Sequence, residues 1–95
     1  MRVKILGKFW TLVFKPLRKD DGYCDAPTQA GKQIQIDSRL RGQRKLEICL
    51  HEMLHAADWH KDEDAWIAPV AADLARALWR LGYRQTDELN SESSE

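Results

Sequence analysis

This 95-residue chain contains few cysteines and lacks long apolar runs. Two cysteines, Cys24 and Cys49, are too few for the disulfide framework of a small secreted domain, so we interpret both as free thiols. No apolar run approaches the roughly 20 residues that span a bilayer. Lysines interrupt the apolar N-terminal stretch, and no small-residue cleavage site follows it. We therefore expect a cytoplasmic protein without a membrane partner.

Net charge is also absent, but the charges are unevenly distributed. Residues 1–50 sum to +6 and residues 51–95 to −6, which is typical of solvated faces of opposite sign. The basic stretch at residues 38–45, SRLRGQRK, has no interleaved aromatic residues and no known nucleic-acid reading motif. Nucleic acid is therefore an unlikely partner on this pattern. The length indicates one domain, and the composition is that of a globular protein.

The strand patterns lie in the first half of the chain. Residues 8–15, KFWTLVFK, are rich in aromatic and β-branched residues and end before Pro16, which predicts a strand. Residues 32–37, KQIQID, alternate, with Ile34 and Ile36 on one face, which predicts a half-buried strand. The stretch around Tyr23 is interpreted as irregular or as a short edge strand. Followed by two helices, these strands predict an α+β fold with a mainly antiparallel sheet.

Two helices are predicted after Gly42. The first runs from residue 43 to residue 59 or 60, and the second follows a break, begins near the N-cap candidate Asp62 and stops at Gly82. We expect a domain over residues 1–84 and a disordered acidic tail over residues 85–95. The buried stripe of the first helix is predicted to be Leu46, Leu50, Met53, Leu54 and Ala57. That of the second is predicted to be Ile67, Val70, Ala71, Leu74, Leu78 and Leu81.

The first helix carries the pattern H-E-x-x-H at residues 51–55. His51 and His55 are four residues apart and share one helical face, so both imidazoles reach one metal ion. Glu52 lies about 100° further round, where it reaches a water on the metal. This is the metalloprotease arrangement, with zinc on the histidines and Glu52 as general base. The competing interpretation is a pair of surface histidines beside a solvated glutamate.

A catalytic zinc ion usually has a third protein ligand. His60 points away from the two motif histidines if the helix is unbroken. Glu63 lies four residues before Ile67 and so continues the inward stripe of the second helix, which makes it the favoured ligand. The alternatives that stay open are Asp58, Asp64 and Cys24.

The motif and its flanks resemble a known group of proteins. LEICLHEMLHAADW, preceded by GKQIQID and followed by DEDAWIAPVAADLARALWRLGY, is similar to the small zincin-type metallopeptidase-like proteins of phages and prophages. SprT-like and IrrE-like domains are larger relatives in style. The resemblance implies a minimal zincin fold, with an active-site helix and a second helix that supplies a carboxylate. It implies that His51, His55 and Glu63 bind zinc and that Glu52 is the base.

The expected function is zinc-dependent hydrolysis of a peptide or protein substrate. The resemblance implies that the strand at residues 31–37 is an edge strand that holds an extended peptide. Tyr23 and Tyr83 are candidates to stabilise an oxyanion, and Trp59 and Trp66 flank the break where they would cover the metal. The alternative is a catalytically inactive, zinc-stabilised binding or regulatory module on the same scaffold.

Overall fold

The computed structural model describes residues 1–86, and residues 87–95, which hold most of the expected tail, lie outside the described part. Four strands precede the helices: β1 (Arg2–Ile5), β2 (Lys8–Lys15), β3 (Gly22–Cys24) and β4 (Gln33–Asp37). The helices are α1 (Gly42–Ala57), a π-helix (Glu63–Ile67) and α2 (Ala68–Leu81). No helix within residues 1–86 combines the length and the hydropathy that crossing a membrane requires.

The strands form one sheet in the order β1-β2-β4-β3. β1 and β2 are an antiparallel hairpin, whose turn residues Leu6 and Gly7 both have positive φ, as a two-residue type I′ turn requires. β4 pairs with β2 in parallel and with β3 antiparallel. The α+β class is thus confirmed, with a mixed sheet in which two of the three pairings are antiparallel.

The position of β4 corrects the expectation that residues 31–37 form an edge strand. β4 lies between β2 and β3, so both of its edges are paired, and the outer strands are β1 and β3. The reason is the path of residues 16–32, which form β3 on the far side before returning the chain to the centre of the sheet. Residues 22–24 are the short edge strand that was one of the two expectations for this stretch.

The core lies between the inner face of the sheet and α1. The inward residues of the sheet are Trp10, Leu12, Cys24, Ile34 and Ile36. Against them α1 buries Ile48, Glu52 and Ala56, which are spaced by four residues and form one ridge. The predicted stripe of Leu46, Leu50, Met53, Leu54 and Ala57 is only half-buried. The buried ridge differs from the predicted stripe because α1 packs against the sheet on one face and against α2 on another. The apolar residues of α1 are therefore divided between these two contacts.

The second helix packs against α1 rather than against the sheet. Ile67, Ala71 and Ala75 are fully buried, whereas Leu74 is 41% exposed and Leu81 73% exposed. The inward orientation predicted for Leu74 and Leu81 is therefore wrong, because a single helix partner covers only a narrow face of α2. The predicted stop at Gly82 is confirmed: Gly82 has φ 97° and its amide donates to carbonyls of the last turn.

Candidate metal centre

The two motif histidines and Glu63 meet at one point beside the C-terminal half of α1. His51 Nε2 lies 2.8 Å from Glu63 Oε2, and His55 Nε2 lies 2.7 Å from Glu63 Oε1. One ligand atom of each residue lies within 4.8 Å of the others. The imidazoles are mostly shielded by the fold, whereas the Glu63 side chain is 50% exposed. The structure thus brings together the three residues that were predicted to bind the metal.

The chain reverses between the histidines and Glu63 within a few residues. α1 ends at Ala57 because Asp58 adopts an extended conformation. Asp62 then caps the following segment by accepting a hydrogen bond from the amide of Ala65, which confirms the N-cap prediction. This segment is a π-helix, in which the amide of Ile67 donates to the carbonyl of Asp62 at 2.9 Å. Short π-helical segments are rare and are often found at functional sites.

The other candidates near the break lie outside this cluster. Asp58 is exposed and accepts a hydrogen bond from the amide of His60 at 3.3 Å. His60 lies in the exposed turn after α1, so its predicted exclusion agrees with its position. Asp64 is exposed, and its carboxylate is not part of the cluster of candidate ligands. Only Glu63, among the acidic residues of the break, directs its carboxylate to both imidazoles.

Cys24 borders the same pocket but is not part of the ligand cluster. The thiol is buried and donates a hydrogen bond to the carbonyl of Asp25 at 3.4 Å. Burial, reinforced by the charges of Glu52 and Asp25, raises the pKa of the Cys24 thiol to about 12. The Cys24 side chain is part of the hydrophobic core and lies outside the cluster formed by His51, His55 and Glu63.

Glu52 is buried, with 7% of its surface exposed. Burial raises the pKa of its carboxyl group to about 7, and the negative charges of Glu63 and Asp20 add to this effect. The interpretation of the motif as surface histidines beside a solvated glutamate is therefore wrong for Glu52. Glu63 shows the opposite behaviour: burial alone would raise its pKa, but hydrogen bonds from His55 and His51 lower it overall.

Gly22 holds the edge strand β3 against Glu52, a role that the sequence did not reveal. A Cβ atom added at Gly22 would lie 2.8 Å from Ile48 Cγ2 and 2.9 Å from Glu52 Oε2. Only glycine therefore allows β3 to approach α1 this closely. The single signal in the sequence was Asp-Asp-Gly, which is typical of a turn and gives no indication of a packing contact.

We expect Gly22→Ala to destabilise the fold by about 1–3 kcal/mol, the usual effect of inserting a methyl group into a packed contact. The added methyl must displace Ile48, Glu52 or β3 itself. Urea unfolding followed by circular dichroism measures the change. Thr28→Ala, at an exposed position of the next loop, is the control and should change stability by less than about 0.5 kcal/mol. An unchanged unfolding midpoint for Gly22→Ala would show that the contact is not tight.

The cluster opens into a pocket of about 450 Å³. Its wall includes Asp20, Gly22, Tyr23, Cys24, Glu52, His55, Trp59 and Glu63. The Trp59 indole lies edge-on to the His55 ring, with centroids 6.4 Å apart. The half-exposed Tyr23 has a raised pKa because of its hydrogen bond with Asp25. Both side chains are placed to contact a molecule held at the histidines.

The remaining aromatic candidates lie elsewhere. Tyr83 lines a different groove, which shares no residue with the metal pocket, so it is not positioned to stabilise an oxyanion there. Trp66 is not part of the pocket wall either, and its ring lies under the ammonium group of Lys61 at 5.0 Å. The expectation that both tryptophans cover the site holds for Trp59 only.

The donor set fits zinc. Two imidazole nitrogens and one carboxylate are ligands that zinc prefers, and three protein ligands are the usual number at a catalytic site. The side chains come from two elements that face each other, α1 and the π-helix, so they surround a point rather than line a surface. No protein-family model, no curated protein and no solved structure matches this chain.

Proposed function

We propose that this protein is a zinc-dependent metallopeptidase. The observation that carries the proposal is the convergence of His51, His55 and Glu63 beside a pocket that is lined by His55, Glu63 and the buried Glu52. A purely structural metal site has no use for a general base and usually has a fourth protein ligand. The resemblance of the motif and its flanks to small zincins supports the same activity.

In the proposed mechanism, each side chain of the pocket has a separate role. His51, His55 and Glu63 hold zinc, which supplies Lewis-acid activation of water and of the scissile carbonyl. The Glu52 carboxylate accepts the proton that the attacking water loses and delivers it to the leaving amide nitrogen. Burial favours the proton on Glu52, which suits a group that must both take up and return one.

The edge strand beside the pocket is β3, and we propose that it orients the substrate. Tyr23 and Cys24 belong both to β3 and to the pocket wall. Within residues 1–86, β3 pairs with β4 on one side only, which leaves its outer edge open to an extended peptide as a further strand. With three residues, β3 engages only a short stretch of substrate, which favours flexible peptide segments over folded proteins.

A second function, a zinc-stabilised binding module without turnover, is favoured by one observation. Glu63 links the two imidazoles of α1 to the π-helix, so a bound ion would fasten the two elements together whether or not it catalyses a reaction. The two functions differ in the role of Glu52, which the module does not need.

Metal analysis combined with a peptide-library assay tests the proposed function. We expect about one zinc ion per chain after expression in zinc-replete medium and cleavage of unstructured peptides that a chelator abolishes. A protein without zinc under these conditions would overturn both functions. A zinc-loaded protein that cleaves no member of a broad library would leave the binding module and exclude the peptidase.

A further inference from the structure

A second large pocket lies on the opposite side of α1 from the metal centre. It has a volume of about 440 Å³, and we call it the apolar groove. Its defining residues are Val3, Leu12 and Phe14 from β1 and β2, and Leu46, Cys49 and Met53 from α1. Cys49 and Met53 are each two positions from His51, which is about 200° around a helix. No residue lines both the apolar groove and the metal pocket.

The apolar groove exists because the helices cover only part of the sheet. α1 packs mainly on β3 and β4, and α2 packs on α1 without contacting a strand. Within the part of the chain that the structure describes, no second helix therefore covers the inner face of the β1–β2 hairpin beside α1. A sheet face of this kind normally buries its apolar side against another layer. Here the half-buried Val3 and Phe14 border open space instead.

Three cationic side chains line this groove without a carboxylate partner among the described residues, in addition to the terminal ammonium group of Met1, which donates to the carbonyl of Leu12. Arg41 donates to the carbonyls of Ser38 and Leu40, and Arg84 to those of Trp79 and Tyr83. The Lys45 ammonium lies 4.6 Å from the centroid of the Phe14 ring. None of these three cations forms an ion pair with an acidic residue of the described chain, and none of the described residues that line the apolar groove is acidic.

We propose that the apolar groove binds an amphipathic acid, a free molecule with an unbranched hydrocarbon chain and a carboxylate head. Small-molecule sites have volumes of roughly 300–1,000 Å³ and are mostly apolar with a few polar groups, and this groove has such a volume and a mostly apolar lining. The chain lies between the hairpin and α1, and the head faces Arg41, Lys45 and Arg84. Charge complementarity selects the head, because a carboxylate forms charge-assisted hydrogen bonds with guanidinium and ammonium groups. This site is independent of the metal centre and of its activity.

The methionines provide a direct readout of binding. The chain contains two, Met1 and Met53, and both line the apolar groove. We expect a titration of the full chain with monomeric dodecanoate to shift both ¹³C-methyl signals in a saturable way. Hexanoate should bind far more weakly, because each buried methylene contributes about fourfold in affinity. Dodecanol and dodecyltrimethylammonium should also bind more weakly, because they lack the anionic head.

Charge variants separate head-group recognition from simple apolar binding. Lys45→Gln and Arg84→Gln should each weaken dodecanoate binding by roughly tenfold and leave dodecanol binding unchanged. Arg76→Gln, an exposed cation of α2 outside the groove, is the matched control and should have no effect. The readout is the ratio of dodecanoate affinity to dodecanol affinity in each variant. A variant that is merely destabilised would lose affinity for both ligands and would leave this ratio unchanged.

Four results would overturn the proposal. The first is equal affinity for the three head groups, which would mean an apolar surface without acid recognition. The second is binding to anionic phospholipid vesicles but not to free dodecanoate. The third is a methyl shift that depends on protein concentration alone, which would assign the groove to a second copy. The fourth is dodecanoate binding only in a Leu89→Glu variant, which would assign it to residues 87–95.

Discussion

Glu52→Gln should reduce peptide hydrolysis by about 10²- to 10⁴-fold, the usual contribution of a positioned general base. The amide keeps the size and shape of the side chain but cannot accept a proton from water. Zinc content should stay at the wild-type level, because Glu52 is not one of the three clustered candidate ligands. Thermal stability should not fall, because burial already disfavours the charged form of the Glu52 carboxyl group, and glutamine removes that penalty. Rates on a fluorogenic peptide from the library and parallel zinc analysis measure both effects.

Glu47→Gln is the matched control for this variant. Glu47→Gln replaces the same kind of carboxylate by an amide on the same helix. The Glu47 carboxylate, however, pairs with Arg44 and does not line the pocket. Hydrolysis should therefore persist in Glu47→Gln. Activity that survives Glu52→Gln at more than about a tenth of the wild-type rate would remove Glu52 from the proposed mechanism. Loss of zinc together with activity would instead mean that Glu52 supports the ligands.

Zinc should raise the thermal midpoint of the wild-type protein substantially. A ligand that binds only the folded state at a hundredfold excess over its Kd stabilises by about 2.7 kcal/mol. For a domain of this size, this corresponds to an increase of roughly 10 to 20 °C. The increase is expected because the three candidate ligands belong to two separate elements, α1 and the π-helix, which a bound ion would hold together. Calorimetry with and without a chelator measures the difference.

Glu63→Ala should abolish most of this zinc-dependent increase. The metal-free variant also loses the contacts of the half-exposed Glu63 carboxylate with His51 and His55. Such exposed pairs contribute less than about 1 kcal/mol each, so the metal-free variant should melt only slightly below the metal-free wild type. Asp64→Ala is the control, because Asp64 is the neighbouring residue of the same π-helix and lies outside the cluster. A full zinc effect in Glu63→Ala combined with a lost effect in Asp64→Ala would exchange the roles of the two acidic residues.

Elements with a strong local pattern were predicted well from the sequence. The strand predicted over residues 8–15 is β2, and α1 differs from its predicted range by one residue at its start and two or three at its end. The pairing partners were not predictable in the same way. β4 lies beside β2 because residues 16–32 cross to the far side of the sheet first, and alternating Ile34 and Ile36 carry no information about that path.

The candidate site shows the same division between local and tertiary information. The helical spacing of His51 and His55 predicted that these two side chains share a face. The facing argument favoured Glu63 as the third residue but left Asp58, Asp64 and Cys24 open, and the structure places Glu63 at the histidines. The burial of Glu52 was not predictable, because it depends on how α1 is rotated on the sheet. Gly22 was missed for a related reason, since its contact with Glu52 joins residues thirty positions apart. The π-helix was not predicted either: the sequence indicated only that a helix begins near Asp62.

The contact between α1 and α2 has a consequence for how this protein evolves. Ala71 and Ala75 are fully buried on α2, which within residues 1–86 contacts only α1 and the π-helix, so a larger side chain at either position requires the helices to shift or repack. The histidines belong to α1, and Glu63 begins the segment that leads directly into α2. Larger side chains at either alanine would separate the helices and, with them, the ligand atoms. A metal ion held by His51, His55 and Glu63 would therefore place Ala71 and Ala75 under selection as well, although neither alanine belongs to the ligand cluster. Substitutions at these two positions should then be limited to residues as small as alanine.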